Sequence, residues 1–133
     1  MTEAQFETAC DRVSRIVDPA QFERLRWARE EGPLLDKLVA LAHAAIESRG
    51  DFELTEEGAT SDIKRFTLKI HSNRVVGIAL WLEDGQAHLR AEEVSRSPYR
   101  LAPGQPRSVA YAGIDAAWMD AGLEDVFGRI GTS

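Results

Sequence analysis

The chain has few of the features that mark a secreted or membrane protein. Its 133 residues include a single cysteine, so an internal disulfide framework is excluded and a reducing, cytoplasmic setting is expected. No apolar run approaches the roughly 18 residues that a membrane helix needs. The residues after Met1 include Thr2, Glu3 and Gln5, without the basic and apolar segments of a secretory signal. We therefore expect a cytoplasmic protein with no membrane contact.

Positive charge is also scarce. The chain has 16 Lys and Arg against 22 Asp and Glu, a formal net charge of −6, whereas non-specific nucleic-acid binding depends on neutralising phosphates. Three helices before a hairpin also suggest a winged helix-turn-helix. However, the third predicted helix offers only Lys37 and Arg49 where a recognition helix needs side chains that reach base edges. We expect no nucleic-acid partner.

The common catalytic and metal-binding motifs are missing. The sequence contains no Walker-type loop, no G-x-G-x-x-G after a strand, no H-E-x-x-H, no calcium loop and no G-x-S-x-G elbow. One cysteine cannot form a CxxC metal knuckle. The three histidines, His43, His71 and His88, fall on different predicted elements. We predict no cofactor and no metal, and we favour a non-catalytic protein.

Apolar residues at helical spacing predict three helices in the first 50 residues. The first begins at a capping box formed by Thr2 and Gln5, and its apolar stripe includes Cys10, which we interpret as a buried structural thiol. Asp18-Pro19 ends this helix and starts the second. The third, at about 34–49, is the most apolar and is predicted to lie against the sheet.

Residues 63–94 predict an antiparallel β-meander with two reversals. Asp84-Gly85 lies between β-prone runs and predicts a two-residue turn that pairs Leu80 with Leu89. At the other reversal we predict a three-residue loop over 72–74, which pairs Phe66 with Leu80 and keeps apolar partners on one face. Either Asn73 or Arg74 would then take a positive φ.

The remaining elements follow from shorter signals. Phe52 and Leu54 suggest an edge strand before the acidic turn Glu56-Glu57-Gly58. After the meander we expect a proline-rich loop at about 95–106 and a strand at Arg107–Tyr111. A final helix is expected from about Ile114, kinked or split at Gly122 and with an apolar surface that reaches Ile130.

The meander has two unlike faces. The inner face is apolar, while the outer face places charged and aromatic side chains around Gly77 and Ala79. Glu92 is the best candidate acid or base, followed by His88. An outer face of this kind fits an anion, an acidic peptide or a flat ring, but an antiparallel sheet normally leaves one face to solvent, and another element of the chain or a second copy could also cover it. The candidate binding residues on this face and in the following loop are Arg65, Lys69, Trp81, His88, Arg90, Glu92, Tyr99 and Arg100.

Together these patterns predict a single α+β domain over residues 1–133. It has three N-terminal helices, an antiparallel β-meander of four to five strands and a C-terminal helix, with the helices on one face of the sheet. We predict a small cytoplasmic non-catalytic binding protein that holds a protein partner or a small anionic ligand at the outer sheet face and the 95–106 loop.

Two alternative functions stay open. One is a small-molecule-binding protein or enzyme with a pocket between the helices and a curved sheet, and with Glu92, His88 or Tyr99 at the pocket mouth. The other is a self-associating structural protein, a homodimer that buries the outer face between two copies.

Overall fold

The computed structural model describes residues 2–60 and 62–132 and has an α+β fold, as predicted. The helices are α1 (Glu3–Val17), α2 (Pro19–Glu30), α3 (Gly32–Ile46) and α4 (Ala116–Gly128). The strands are β1 (Phe52–Glu56), β2 (Ile63–Ile70), β3 (Asn73–Glu83), β4 (Gln86–Glu93), β5 (Tyr99–Leu101), β6 (Arg107–Ala110) and β7 (Ile130–Thr132). None of the described helices has the length and apolar character to cross a membrane.

The chain divides into two compact units, Met1–Leu34 and Leu35–Ser133, so the single-domain assignment stays a prediction. In the first unit α1 packs against α2. The predicted capping box of α1 is present, with Thr2 and Gln5 exchanging side-chain and backbone hydrogen bonds. Asp18 caps α2 by accepting a hydrogen bond from the Gln21 backbone amide.

The apolar stripe of α1 is exposed, so the prediction that Cys10 is a buried thiol is wrong. The Cys10 side chain is exposed, and none of the described residues of α1 is buried. Helical spacing shows that apolar residues share one face, but it does not show whether that face is covered. The large apolar side chains of α1 that stay more than half exposed are Phe6, Val13, Ile16 and Val17.

Five strands of the second unit form the main sheet, in the order β1-β2-β3-β4-β6, with every neighbouring pair antiparallel. The predicted edge strand is confirmed as β1. The predicted turn at Asp84-Gly85 is also confirmed, because Leu80 pairs with Leu89. Both turn residues have positive φ, 53° and 73°, which the right-handed twist of the flanking strands favours in a two-residue hairpin.

The turn between β2 and β3 differs from the prediction. It is a two-residue turn at His71 and Ser72, whose φ values are 50° and 67°. The positive φ therefore does not fall on the residues that the three-residue loop required. Phe66 pairs with Ile78 instead of Leu80, so the register is two residues away from the predicted one.

A β-bulge explains why the shorter turn keeps the apolar faces aligned. The register shifts between Leu68 and Lys69, since Leu68 pairs with Val76 whereas Lys69 pairs with Arg74. Val75 is thus the extra residue on β3. One added residue reverses the alternation of side chains, which corrects the face error that a regular two-residue turn would have produced. The sequence prediction considered regular pairings alone.

Helices α3 and α4 both pack on the inner face of the sheet, as predicted. The ring of His43 in α3 meets Phe66 edge-on, with 5.5 Å between ring centroids. In α4, a Cβ atom placed on Gly122 would lie 3.4 Å from Leu89 Cδ1. The apolar residues buried on this face are Phe66, Leu68, Val76, Ile78, Leu80, Ala87 and Leu89.

The final helix is not split at Gly122, since α4 runs without a break through this residue. Gly122 is buried, and a Cβ atom placed on it would lie 3.4 Å from Leu89 Cδ1 and 3.5 Å from Arg107 Cδ, within ordinary van der Waals contact.

The 95–106 segment is only partly a loop. β5, which lies inside it, pairs with β7 in a separate two-stranded antiparallel sheet. Leu101 stands opposite Ile130, a residue that the helical pattern had assigned to the final helix. The Ser97 hydroxyl, 8% exposed, donates to the Arg74 carbonyl at 3.0 Å. Three-residue strands are too short for side-chain periodicity to reveal them.

Candidate binding site

The outer face of the main sheet contains a cavity of about 350 Å³ over Gly77. Strands β2, β3 and β4 and the segment after β1 all contribute to its walls. This volume falls at the lower end of the range of about 300–1,000 Å³ that is typical of small-ligand sites. Its main charged, polar and floor residues are Glu57, Arg65, Thr67, Arg74, Gly77, Glu92 and Glu93.

Gly77 allows two strands to approach closely at the floor of the cavity. It lies between Thr67 of β2 and Glu92 of β4 in the sheet. A Cβ atom on Gly77 would lie 3.3 Å from the Glu92 carbonyl oxygen and 3.4 Å from the Glu92 Cβ, which is tighter than ordinary contacts. Glycine therefore stands at this position for steric reasons, and it also leaves the floor of the cavity without a side chain.

The carboxylate of Glu57 is held by three residues of the outer face. Arg74 donates to both carboxylate oxygens, with 2.8 Å between Nη1 and Oε1. The Thr67 hydroxyl donates to Oε2 at 2.9 Å, and Lys69 Nζ lies 3.9 Å from Oε1. The hydrogen bonds from Arg74 and then Thr67 lower the pKa of Glu57. Glu57 is therefore ionised at neutral pH.

Local backbone features place these groups together. Glu57 follows β1, and its amide donates to the Arg65 carbonyl at 3.0 Å. Gly58 then turns the chain with a φ of 74°, a conformation that glycine adopts without strain. Across the sheet, the bulge at Val75 leaves Arg74 opposite Lys69. The Glu57 cluster, defined as Glu57, Thr67, Lys69 and Arg74, thus depends on one turn and one bulge.

A second carboxylate faces the other predicted cations. Arg65 Nε lies 3.6 Å from Glu92 Oε1, and Arg90 Nη2 lies 3.3 Å from the same oxygen. All three side chains are between one-third and one-half exposed. The outer face and the cavity lining thus combine four cations with four carboxylates, because Glu93 also lines the cavity and Glu53 lies opposite Lys69. The four cations are Arg65, Lys69, Arg74 and Arg90, and the two central carboxylates are Glu57 and Glu92.

Trp81 and His88 form a stack beside the cavity. Their ring centroids are 5.1 Å apart with an interplanar angle of 17°, and the Arg90 guanidinium lies 5.0 Å from the Trp81 ring centre. His88 Nδ1 is 2.7 Å from Ser108 Oγ, and Nε2 is 3.1 Å from the Glu83 carbonyl. A carbonyl can only accept, so Nε2 carries the donated proton. These contacts hold the His88 ring in place, and His88 is not among the residues that line the cavity over Gly77.

Neither Tyr99 nor Arg100 lines the cavity over Gly77. Tyr99 helps to line an adjoining depression of about 280 Å³, which shares Arg74 and Ser95 with that cavity. Arg100 Nη1 donates to the Ser97 carbonyl at 2.7 Å and lies 3.9 Å from Glu93 Oε1. Of the predicted residues, Arg65 and Glu92 line the main cavity, Tyr99 lines the adjoining depression, and Arg100 lies near Glu93.

The sequence prediction missed Glu57 and Arg74. Glu57 was assigned to an acidic turn, and Arg74 to a loop. One signal was present: Val75 and Val76 are adjacent apolar residues, and both are buried. Two consecutive buried residues break strand alternation and are typical of a bulge. A bulge at this position would have indicated that Arg74 belongs to the outer face.

A larger cavity, of about 510 Å³, lies between α3 and β1. His43 and Glu47 of α3 and Phe52 and Glu53 of β1 contribute to its lining. The pocket-type alternative expected Glu92, His88 or Tyr99 at such a mouth, and these are not among its lining residues. Within residues 2–60 and 62–132, no three His, Cys, Asp or Glu side chains are grouped closely enough to hold a metal ion.

Comparisons with known proteins give no family assignment. No model of a protein family matches the chain. No curated protein and no solved structure shows significant similarity to it.

Proposed function

We propose that the protein is a small, non-catalytic, cytoplasmic binding protein whose outer sheet face receives an acidic segment of a protein partner. The observation that carries this proposal is the cavity over Gly77, which is lined by Arg65 and Arg74 and lies on the same sheet face as Lys69 and Arg90, on a chain of net charge −6. A partner peptide that carries carboxylates would meet a concave surface and side chains of opposite charge there.

The charges of the face are accessible to a partner. The side chain of Arg65 is 35% exposed, that of Arg90 is 44% exposed and that of Arg74 is 50% exposed. Ion pairs at such exposure contribute about 0–1 kcal/mol each, so rearranging them costs little. The guanidinium groups of Arg65, Arg74 and Arg90 would attract a partner's carboxylates at short range.

The segment after β4 would form one rim of the binding surface. Glu93 accepts a hydrogen bond from the Leu101 amide at 3.1 Å, which ties β5 to the end of β4. Ser97 joins the same segment to the Arg74 carbonyl. These contacts hold the 95–101 stretch beside the cations, which supports the original assignment of this region to binding.

A charge-matched comparison tests the proposal. The probe is a fluorescent poly-glutamate peptide with a poly-glutamine peptide as neutral control, measured by fluorescence anisotropy. The triple variant Arg65→Ala, Lys69→Ala, Arg90→Ala should bind poly-glutamate about tenfold or more weakly than the wild type. The control variant Arg12→Ala, Arg24→Ala, Lys37→Ala removes the same charge from helices and should retain its affinity.

Two results would contradict the proposed function. Equal loss of binding in the two triple variants would show a response to net charge and no specific face. Equal binding of poly-glutamate and poly-glutamine by the wild type would show that acidity is not recognised. Circular dichroism of each variant establishes that it is folded before the peptides are added.

The cavity between α3 and β1 favours a second candidate function, the binding of a small molecule. Its volume of about 510 Å³ lies well inside the range of ligand pockets. A bound metabolite at a hundred times its dissociation constant would add about 2.7 kcal/mol of stability. In a screen of metabolites, a ligand of this cavity should therefore raise the melting temperature of the wild type. It should not raise that of Ala44→Phe, because the added ring fills the cavity. No shift in either protein would reject this candidate.

Self-association through the outer face stays a prediction. A homodimer of that kind would bury Arg65 and Arg90 in the contact. Sedimentation velocity over a concentration series should then show a dimer that the triple variant Arg65→Ala, Lys69→Ala, Arg90→Ala abolishes. A monomer at all concentrations would reject it.

A further inference from the structure

We propose that Glu57 is an internal occupant of a carboxylate-binding seat, and that a carboxylate of the acidic partner binds there by displacing it. This inference rests on the proposed function and specifies its chemistry. The seat consists of the donors that surround Glu57: the Arg74 guanidinium, the Thr67 hydroxyl and the Lys69 ammonium group.

The donors of the seat are arranged for a carboxylate. Arg74 presents two N–H groups to the two oxygens of Glu57, the paired geometry that a planar guanidinium forms with a planar carboxylate. Thr67 is 6% exposed, so its hydroxyl depends on Glu57 or on another acceptor that reaches the same point. Lys69 adds a third positive contact at longer range.

The position of Glu57 allows its side chain to leave. It lies one residue beyond the end of β1, and its side chain is 32% exposed and borders the cavity. Its backbone can keep its hydrogen bond to Arg65 while the side chain rotates toward solvent. An incoming carboxylate would restore the bonds to Arg74, Thr67 and Lys69. Replacing the Glu57 carboxylate by the partner's carboxylate therefore changes the free energy at the seat little. Additional contacts of the peptide within the cavity decide which carboxylate is bound.

The adjoining cavity indicates what those contacts are. Arg65 lies two residues before Thr67 on β2, and Glu92 lies on β4 with the bare backbone of Gly77 between it and Thr67. An extended peptide can place one carboxylate in the seat and a second near Arg65. The occupant is thus a carboxylate-bearing peptide, whose acid group comes from an acidic side chain or from a chain terminus.

Removing Glu57 should raise the affinity for such a peptide. The probe is poly-glutamate with an amidated C-terminus, and the variants are Glu57→Ala and Glu56→Ala. Glu56 lies next in sequence but pairs with Lys64 at 3.8 Å, so its removal changes the net charge equally without opening the seat. Glu57→Ala should bind about fivefold more tightly than the wild type, and Glu56→Ala within about twofold.

Further arms locate the effect and identify the source of the carboxylate. In Glu57→Ala, the added change Thr67→Val should cancel the gain, since it removes one donor of the seat. A poly-alanine peptide with a free C-terminus tests the terminal carboxylate against the side-chain carboxylate of poly-glutamate. If Glu57→Ala does not fold, Glu57→Gln keeps the side-chain volume and removes the charge.

The outcomes separate this inference from the proposed function. Equal affinity of Glu57→Ala and Glu56→Ala, together with wild-type binding that the Arg65, Lys69 and Arg90 triple variant loses, would overturn the internal occupant but leave the outer-face function. Binding by Glu57→Ala with none by the wild type would support the occupant strongly. Failure of every variant to bind either peptide would overturn both.

Discussion

Arg74 and Glu57 form a two-point ion pair across 17 residues of sequence, with 2.8 Å between Arg74 Nη1 and Glu57 Oε1. The pair joins the end of β1 to the beginning of β3, which do not neighbour each other in the sheet. It spans the intervening strand β2, whose Thr67 and Lys69 complete the cluster. This ion pair links the edge of the sheet to its centre. It also places the Glu57 carboxylate in the proposed carboxylate-binding seat.

The Arg74–Glu57 pair makes the free energy of unfolding depend on pH in the acid range. The pKa of Glu57 in the folded protein is lowered from the usual 4.5, chiefly by the hydrogen bond from Arg74. The unfolded chain therefore takes up this proton at a higher pH than the folded chain does. The contribution of the pair is present above the usual value and is lost as the pH falls through the lowered one.

We predict that Arg74→Ala reduces the acid dependence of unfolding. Urea titrations at about pH 7 and about pH 3 should show a smaller difference in unfolding free energy for this variant than for the wild type. Arg24→Ala is the control, because its guanidinium bonds to the neutral Gln21. Asp51, whose pKa Arg49 lowers, keeps its own contribution in both variants. An unchanged pH difference in Arg74→Ala would contradict the assignment.

The two turns of the meander show where sequence information is sufficient for the fold. Asp84-Gly85 was predictable because these residue types favour positive φ and stand directly between two apolar strands. His71-Ser72 was not, because neither residue signals positive φ and the bulge at Val75 hides the true register. The apolar residues were assigned to the correct face despite this error. An alternating apolar pattern fixes which residues share a face, but it does not fix which residue each one pairs with.

The same limit applies to the candidate site. Arg65 and Glu92 were placed on the outer face correctly, because alternation along β2 and β4 is regular. Arg74 and Glu57 were missed because their meeting depends on a bulge and on the path of the chain after β1. Contacts between residues that are far apart in the sequence and lie at turns or bulges produce no periodic pattern in the sequence.

The turn at His71-Ser72 offers a gain in stability. Ser72 has a φ of 67°, in a region that costs an ordinary L-residue about 1 kcal/mol and costs glycine nothing sterically. Ser72→Gly should therefore raise the unfolding free energy by about 0.5–1 kcal/mol, measured by urea denaturation. Ser95→Gly, at an exposed loop residue without positive φ, should give no gain. Equal effects of the two changes would contradict the turn geometry.

Cys10 provides a direct test of the exposed stripe on α1. Because its thiol is exposed, a chromogenic disulfide reagent should modify one equivalent in the native protein. The rate should be within about tenfold of that in the urea-unfolded chain, where access is complete. Cys10→Ser supplies the blank. Strong protection in the native protein would show that the stripe is covered in solution.

Gly77 connects the stability of the sheet with the binding surface. A methyl group at this position meets the Glu92 carbonyl oxygen at 3.3 Å, so β3 and β4 must separate slightly or strain. Gly77→Ala should lower the unfolding free energy by about 1–3 kcal/mol, as overpacking does elsewhere. Gly50→Ala is a matched control, because nothing lies within 4 Å of its added Cβ and no loss is expected. If both changes were equally tolerated, close approach at Glu92 would not be the reason for glycine in this strand.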